Sequence, residues 1–209
     1  MTVSLTYAKT ISGQGSTLGQ SVTRSGSAIK QLNVSLPVGA AGQLTTRTSD
    51  TVGELTMTSG SHGISTSDVI DIFWSGGRRY GVTVGTVSGT AVPISSGSGD
   101  VLPSTSTAVV ATIQVTANID IDGDNVALLG IVMVLPDGDD ADGHIQLKDS
   151  GASEIAAIDL TARTVAAYDI TGGDTNVFTG NPITNIAAAN GSSTNAATLQ
   201  ILSLEEAQP

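Results

Sequence analysis

The chain contains 209 residues; Gly, Ser and Thr together exceed a third of them, whereas aromatic residues account for 3% and charged residues for 13%. No run approaches the roughly 18 apolar residues of a membrane-spanning helix, and the N-terminus has neither the cationic nor the apolar region of a secretion signal, so we expect neither. The absence of Cys excludes disulfides and thiol chemistry, and two His are too few for a multi-His metal site.

Charge is distributed unevenly along the chain. Residues 1–111 carry six basic and five acidic side chains, whereas residues 112–209 carry two basic and fourteen acidic ones. The acidic half repels phosphate groups and the near-neutral half has no basic run, so we expect no direct binding to nucleic acid. The charge change follows a Gly/Ser/Thr-rich segment at 95–107. This predicts a boundary between a near-neutral module at 1–107 and an acidic module at 108–209.

Alternating apolar and polar residues predict strands through most of the first module. Residues 1–7 alternate in this way. Residues 12–27 are rich in Gly, Ser and Thr and have few apolar anchors, which predicts a long loop or a flexible extended arm. Alternation resumes at 29–36, and two Thr-rich strands are predicted at 44–48 and 54–58.

The strongest local pattern is a β-hairpin predicted between residues 69 and 84. Two β-prone runs flank Gly76-Gly77, and glycine adopts the positive φ of a tight turn at little steric cost. Strand alternation places Ile70, Ile72 and Trp74 on one face and Val69, Asp71 and Phe73 on the other. One of the two adjacent aromatic side chains is therefore expected in the core, and the other need not be.

The acidic module also consists of predicted strands. In chain order these are 108–120, 126–135, 144–148, 154–160, 164–170, 183–189 and 197–204. The run 126–135 is nearly all apolar and must be covered on both faces. The Ala-rich stretch 152–167 is also compatible with one helix. Asn190-Gly191-Ser192 predicts that the last two strands close the module as a hairpin.

The predicted fold is therefore mainly β, with two small antiparallel β-barrel or sandwich modules and a flexible N-terminal arm at about 12–27. The first module is the near-neutral one, and the second is an acidic β-sandwich.

Two acidic segments have the residue types of a calcium site. Residues 118–123 have the Asn and Asp spacing of a calcium loop, but its twelfth position is Leu129 and the flanking sequence is strand-like. We interpret this segment as a strand ending in an Asp-Gly turn. The second segment is interpreted as a solvated loop tip and contains Asp137, Asp139, Asp140 and Asp142. No metal ligands are predicted.

No catalytic or cofactor pattern is present. His62 lies in a Gly/Ser-rich turn, and His144 begins a predicted strand, with no nucleophile and orienting group beside either. The glycines at 13–19 miss the dinucleotide-binding spacing. We predict no catalytic residues, no cofactor and no enzymatic activity.

Residues that are favoured at protein interfaces concentrate in the predicted hairpin, because Trp, Tyr and Arg dominate interface hot spots. They are Phe73, Trp74, Arg78, Arg79 and Tyr80. Two interpretations remain open. Either the cluster contacts a partner, with the arginine pair facing the acidic half of another copy, or the hairpin holds the core of the first module and both arginines are solvated.

Residues 36–66, 69–103 and 181–206, with short strands punctuated by Gly, Asn and Ser, resemble structural proteins of tailed-phage and prophage virions. The resemblance implies a homo-oligomeric β-rich subunit of a virion, assembled in the host cytoplasm. Its implied partners are other copies of itself and a major capsid or tail protein, with no membrane involved.

Two positions in a virion compete. A capsid decoration (cement) subunit would bind the shell through its near-neutral half, whereas a tail-tube subunit would line a lumen with acidic residues. We favour decoration because the acids lie in a separate module, while a tube protein needs long hairpins that form a closed inner barrel. A cell-surface adhesin-like module that binds through residues 172–182 is a further alternative. A carbohydrate-active enzyme is least favoured, because so few aromatic residues make a sugar-stacking cleft hard to build.

Overall fold

The computed structural model describes residues 3–13, 16–26, 28–121, 126–136, 139–161, 165–169 and 182–205. In chain order the strands are β1 (Val3–Gly13), β2 (Ser16–Gly26), β3 (Ala28–Leu36), β4 (Ala40–Arg47), β5 (Gly53–Met57), β6 (Val69–Trp74), β7 (Gly77–Val84), β8 (Ala91–Ser95), β9 (Ser98–Gly99), β10 (Ala108–Ile113), β11 (Val115–Ile121), β12 (Val126–Val134), β13 (Gly143–Lys148), β14 (Glu154–Leu160), β15 (Val165–Asp169), β16 (Ile183–Asn190) and β17 (Ala197–Glu205). These residues contain no helix, and hence none that could cross a membrane. The predicted mainly β fold is confirmed.

Six strands form a closed antiparallel barrel. Their order is β6-β10-β4-β5-β8-β7, and β7 pairs again with β6, so the sheet closes on itself. The short β9 adds to β7. The buried core of the barrel consists of Leu44, Leu55, Met57, Ile64, Ile70, Ile72, Val82, Val84, Val92, Ile94, Leu102, Val109 and Ala111.

The β6–β7 turn lies one residue earlier than the sequence predicts. It consists of Ser75 and Gly76, and Gly76 has a φ of +93°. Gly77 is instead the first residue of β7, paired with Trp74. A Cβ at Gly77 would lie 2.7 Å from the indole of Trp74, so this glycine serves close packing and not the turn itself.

Two four-stranded antiparallel sheets form the sandwich, in the orders β11-β16-β13-β14 and β15-β12-β17-β3. Alternation along β17 puts Leu199 and Ile201 in the core and leaves Thr198 and Gln200 exposed. The buried core between the sheets consists of Val34, Leu36, Ile119, Ile121, Leu129, Ile131, Met133, Leu135, Ile145, Leu147, Ile158, Leu160, Ile183, Ile186, Ala188, Ala197, Leu199 and Ile201.

Sheet membership does not follow the change in charge. β3 comes from the near-neutral half of the chain, yet it pairs with β17 in the sandwich. β10 lies just beyond residue 107, yet it pairs with β4 and β6 in the barrel. The barrel therefore runs from β4 to β10 and is inserted between sandwich strands. The strand pairing does not test whether the two predicted modules fold separately, so the domain boundary at residue 107 stays a prediction.

The last two strands do not form the predicted hairpin. β16 pairs with β11 and β13, whereas β17 pairs with β12 and β3, so the chain crosses between the two sheets. The side-chain amide of Asn190 donates to the carbonyl oxygens of Leu36 and Pro37, and its side-chain oxygen accepts from the backbone N–H of Ser192. These bonds hold the crossing, which we call the arch (residues 190–195).

The Ala-rich stretch 152–167 is not helical where the structure describes it. It contributes β14 to one sheet and the beginning of β15 to the other. The alternation of Ile158 and Leu160, both buried, with exposed Asp159 explains the strand.

Most of the segment predicted as a loop or flexible arm is a β-strand. β1 and β2 pair from Val3↔Gly26 to Gly13↔Ser16, a hairpin with eleven residues in each strand. β2 approaches β12 and β17. Backbone hydrogen bonds between strands do not require large apolar side chains, so a Gly/Ser/Thr-rich segment can pair in this way.

Candidate functional site

The β6–β7 hairpin contacts both the barrel core and the sandwich, and strand alternation explains why. Ile70 and Ile72 are buried in the barrel core. Asp71 and Phe73 lie on the opposite face, as predicted, and meet the sandwich. A Cβ at Gly191 would lie 3.0 Å from the ring of Phe73, so this ring packs on the backbone of the arch. The junction between barrel and sandwich is therefore the place where the predicted cluster lies.

Arg78 links the barrel to the acidic half of the same chain. Its guanidinium donates to the backbone oxygen of Gly143 at 3.3 Å and lies 3.6 Å from the carboxylates of both Asp142 and Asp159. The carboxylates that this arginine meets are thus intramolecular. Contact of the cluster with another copy stays a prediction.

A stacked pair of rings lies beside Arg78. The ring centroids of Tyr80 and His144 are 3.8 Å apart, with an interplanar angle of 18°. His144 Nδ1 lies 3.0 Å from the carboxylate of Asp159. Burial lowers the pKa of His144, so the ring is neutral at pH 7 and Nδ1–H donates to Asp159.

The His144–Asp159 pair has only part of a catalytic triad's geometry. Nε2 is the atom that would take a proton from a nucleophile, and it is buried without a hydrogen-bond partner among the described residues. The pair therefore orients the ring that stacks on Tyr80, with no described hydroxyl bonded to it.

Arg79 has a structural role in the barrel. It is buried, and its guanidinium donates to the backbone carbonyls of Ser96, Gly97 and Asp100. It thereby holds the loop that contains β9. Successive residues of a strand point to opposite faces, so the two adjacent arginines have different environments.

Trp74 lines a cleft of about 700 Å³ between the barrel and the sandwich. Its ring also packs against the barrel core and rests on the backbone of Gly77. The polar side chains around the cleft are those of Thr58, Ser75, Arg78, Asp100, Asp142, Asp159 and Ser193. Both the sequence-predicted aromatic pair and Arg78 thus contribute to one concave surface.

A buried carboxyl that the sequence pattern does not indicate as a site lies in the same junction. Asp71 Oδ1 accepts from the Gly81 backbone N–H at 2.9 Å and from Gln114 Nε2 at 2.7 Å. Gln114 Nε2 also lies 2.9 Å from Gln146 Oε1, which belongs to the sandwich. Burial raises the pKa of Asp71 from 3.8 to about 7. The available signal was a single Asp within an otherwise apolar strand.

The acidic loop is tied to the arch, which corrects the interpretation of Asp139 as part of a solvated loop tip. Its carboxylate accepts hydrogen bonds from the Ser192 hydroxyl and the Asn195 side-chain amide. These bonds lower the pKa of Asp139. Asp140 is exposed, and Asp137 lies outside the described residues.

The other residues considered as metal ligands or catalytic groups lie in a strand or a turn. Asp120 is exposed on β11 between buried Ile119 and Ile121, as the strand interpretation predicts, while residues 122–123 lie outside the described part of the chain. His62 accepts the backbone N–H of Ile64 at Nδ1 and closes a turn. The described residues contain no group of three or more His, Cys, Asp or Glu that could hold a metal ion.

Comparison of the chain with protein-family models, with curated proteins and with solved structures gives no match. Its function must therefore be inferred from its own residues. The junction offers a cleft with carboxylates, a guanidinium and an indole.

Proposed function

We propose that this chain is a structural subunit of a tailed-phage particle, and specifically a decoration subunit that stabilises the capsid shell. It acts through contacts with other copies of itself and with the major capsid protein. The observation that supports this most strongly is an uncharged outer sheet face on a chain with a net charge of −11.

The neutral face is the outer surface of β12, β17 and β3. Its described residues are Gly130, Val132 and Val134 on β12; Thr198, Gln200, Leu202 and Leu204 on β17; and Ile29, Gln31, Asn33 and Ser35 on β3. Leu204 is fully buried, and β2 approaches both β17 and β12, so part of this face is already covered within the chain. These side chains alternate with the core residues of the same strands and lie in register across the sheet. None of them is charged.

Depletion of charged residues is the compositional signal of an interface core. Val134 is 42% exposed and Ile29 is 40% exposed, so apolar area on this face is open to a partner. A sheet face without charged side chains packs against a second surface without the cost of burying unpaired charges. The neutral face therefore fits a contact with the shell or with a neighbouring copy.

Two exposed acidic side chains of the described residues lie on the opposite sheet of the sandwich. Asp120 on β11 is 86% exposed and Asp159 on β14 is 61% exposed at the side chain, and both strands belong to the opposite sheet. With the neutral face on the shell, these carboxylates point away from it. A like-charged outer surface keeps particles dispersed, because they repel each other.

A tail-tube subunit is the second candidate, and the long β1–β2 hairpin favours it. Such a hairpin is the element from which a tube builds its inner barrel. Residues 3–26, however, contain Lys9 and Arg24 and no acidic residue. A lumen lined by this hairpin would attract the phosphates of DNA instead of letting DNA slide, so we place decoration first.

Light scattering and negative-stain microscopy of the purified chain separate the candidates. A decoration subunit forms a discrete small oligomer or binds only to assembled shells. Hollow filaments built from rings would support the tube instead. A monomer that never associates with particles, yet binds a cell-surface receptor, would support the adhesin-like alternative and contradict the proposal.

A further inference from the structure

We propose that the cleft between the barrel and the sandwich is a binding site for a short, uncharged oligosaccharide. The site does not depend on the neutral face or on the virion role, since it lies on the other side of the sandwich, where the barrel is attached. Three features of the cleft carry the proposal: its size, its aromatic wall and the unused hydrogen-bonding capacity of its polar groups.

The cleft has the volume of a small-molecule site. At about 700 Å³ it falls within the roughly 300–1,000 Å³ of ligand pockets, and such pockets commonly lie between domains. Its walls come from both modules: Trp74 and Arg78 from the barrel, and Asp142, Asp159 and Ser193 from the sandwich. A ligand held here contacts both modules at once.

The aromatic wall is fixed in position. The indole of Trp74, the one tryptophan of the chain, rests against the backbone of Gly77, where any Cβ would clash with it. The ring is therefore already held in place before a ligand binds. An apolar ring with a polar N–H edge suits a sugar, whose C–H groups and hydroxyls alternate around the ring.

The polar groups of the cleft retain free donors and acceptors. Arg78 lies 3.6 Å from both Asp142 and Asp159, which is beyond hydrogen-bond distance. Their side chains remain 46% and 61% exposed, so carboxylate oxygens and guanidinium N–H groups are accessible from the cleft. Carboxylate acceptors beside guanidinium donors match neighbouring hydroxyls, which both donate and accept.

Charge sets the class of ligand. Three carboxylates, those of Asp100, Asp142 and Asp159, line the cleft with the single guanidinium of Arg78. An excess of negative charge repels phosphorylated, sulfated or sialylated ligands. Neutral hexose or N-acetylhexosamine units fit both the charge and the hydroxyl pattern.

Tryptophan fluorescence tests the proposal in the full chain, because the only indole lies in the cleft. We would titrate maltotriose, cellotriose and the N-acetylglucosamine trimer, with 3′-sialyllactose as an anionic counter-probe and calorimetry as a second readout. At least one neutral trisaccharide should give a saturable change. Sialyllactose should bind more weakly.

Two variants locate the binding. Asp142→Asn and Ser193→Ala should each weaken the affinity, the first by about tenfold, since a hydrogen bond to a charged group is lost. Asp140→Asn is the matched control, because Asp140 is exposed in the same loop and does not line the cleft. Ser193 is exposed and its loss should not affect folding, which a melting curve checks.

The proposal is overturned if no neutral trisaccharide gives a saturable signal by either method. It is equally overturned if affinity is unchanged in both Asp142→Asn and Ser193→Ala, or if sialyllactose binds more tightly than every neutral probe. None of these results bears on the neutral face, so the two proposals fail independently.

Discussion

Asp71 makes the junction between the barrel and the sandwich sensitive to pH. It lies in a strand whose other residues are apolar, and its carboxyl is buried between the barrel and the sandwich. Oδ1 accepts two hydrogen bonds, whereas Oδ2 has no partner among the described residues. Ionisation of this group is therefore costly, which is why burial raises its pKa to about 7.

We expect Asp71→Asn to remove a pH-dependent loss of stability. The folded state holds a proton that the unfolded chain, with an Asp pKa near 3.8, has already released. Wild-type stability relative to the variant should therefore fall between about pH 4 and pH 7, by roughly 1 kcal/mol per pH unit, and then level off. Urea unfolding of both proteins across this range measures the difference.

His144 changes the stability with pH in the direction opposite to Asp71. The wild type must therefore be compared with the Asp71→Asn variant at each pH. Burial lowers the pKa of His144, so its contribution destabilises the fold as pH falls below 6.5. This contribution is common to both proteins and cancels in their difference. A difference that does not change with pH would contradict the assignment of Asp71 as a buried acid.

Asp139 and Asp140 provide a matched pair in one loop. Asp139→Ala removes the acceptor for Ser192 and Asn195 and should cost roughly 1 kcal/mol of unfolding free energy. Asp140→Ala should cost almost nothing, because Asp140 is exposed. Thermal melts of the two variants check this; equal melting temperatures would restore the solvated-loop interpretation for Asp139.

At the scale of elements, strand positions follow from the sequence more closely than strand partners do. The predicted strand at 154–160 matches β14, and the alternation of Ile70 and Ile72 against Asp71 is confirmed. Both depend on local periodicity, which a single segment contains. The hairpin predicted for β16 and β17 is wrong. A turn sequence between two strands does not determine whether these strands pair with each other or join different sheets.

The missing information is tertiary. Asn190 bonds to carbonyl oxygens of residues 36 and 37, more than 150 positions away in sequence. Likewise, Arg78 and Arg79 have different environments because Arg78 contacts the sandwich, whereas Arg79 bonds to a loop of the barrel. The adjacency of Trp74 to Asp142 and Ser193 is a property of how two modules pack, so no local pattern indicates the cleft.

A substitution on the neutral face tests whether this surface is the contact with other subunits. Val134→Asp should weaken assembly, because it places a charge in the proposed contact. Val69→Asp is the control, since Val69 has the same exposed fraction of 42% but lies on β6 of the barrel. Both substitutions are on exposed side chains and should leave the melting temperature nearly unchanged.

Light scattering, or pelleting with shells, measures the assembly of the two variants. Loss of assembly in Val134→Asp alone supports the neutral face as the contact. Equal assembly of both variants would show that the contact lies elsewhere.

At the scale of the whole molecule, the described charged residues lie mainly away from the neutral face. Several of them are used within the chain: Arg79 holds a barrel loop, Arg78 faces two carboxylates of the sandwich, and Asp139 holds the arch. Among the described residues, the neutral face of β12, β17 and β3 is a surface without charge. A subunit that packs against other subunits is expected to have a contact surface without charge and to carry its charged residues elsewhere.

The most direct test is immunogold electron microscopy of virions purified from the host in which this chain is produced, with antibodies raised against the purified chain. The account predicts gold particles distributed over the capsid heads, together with the chain in many copies in the virion proteome. Labelling confined to tails would move the chain to the tube. Purified virions that lack the chain altogether would contradict a structural role in the particle.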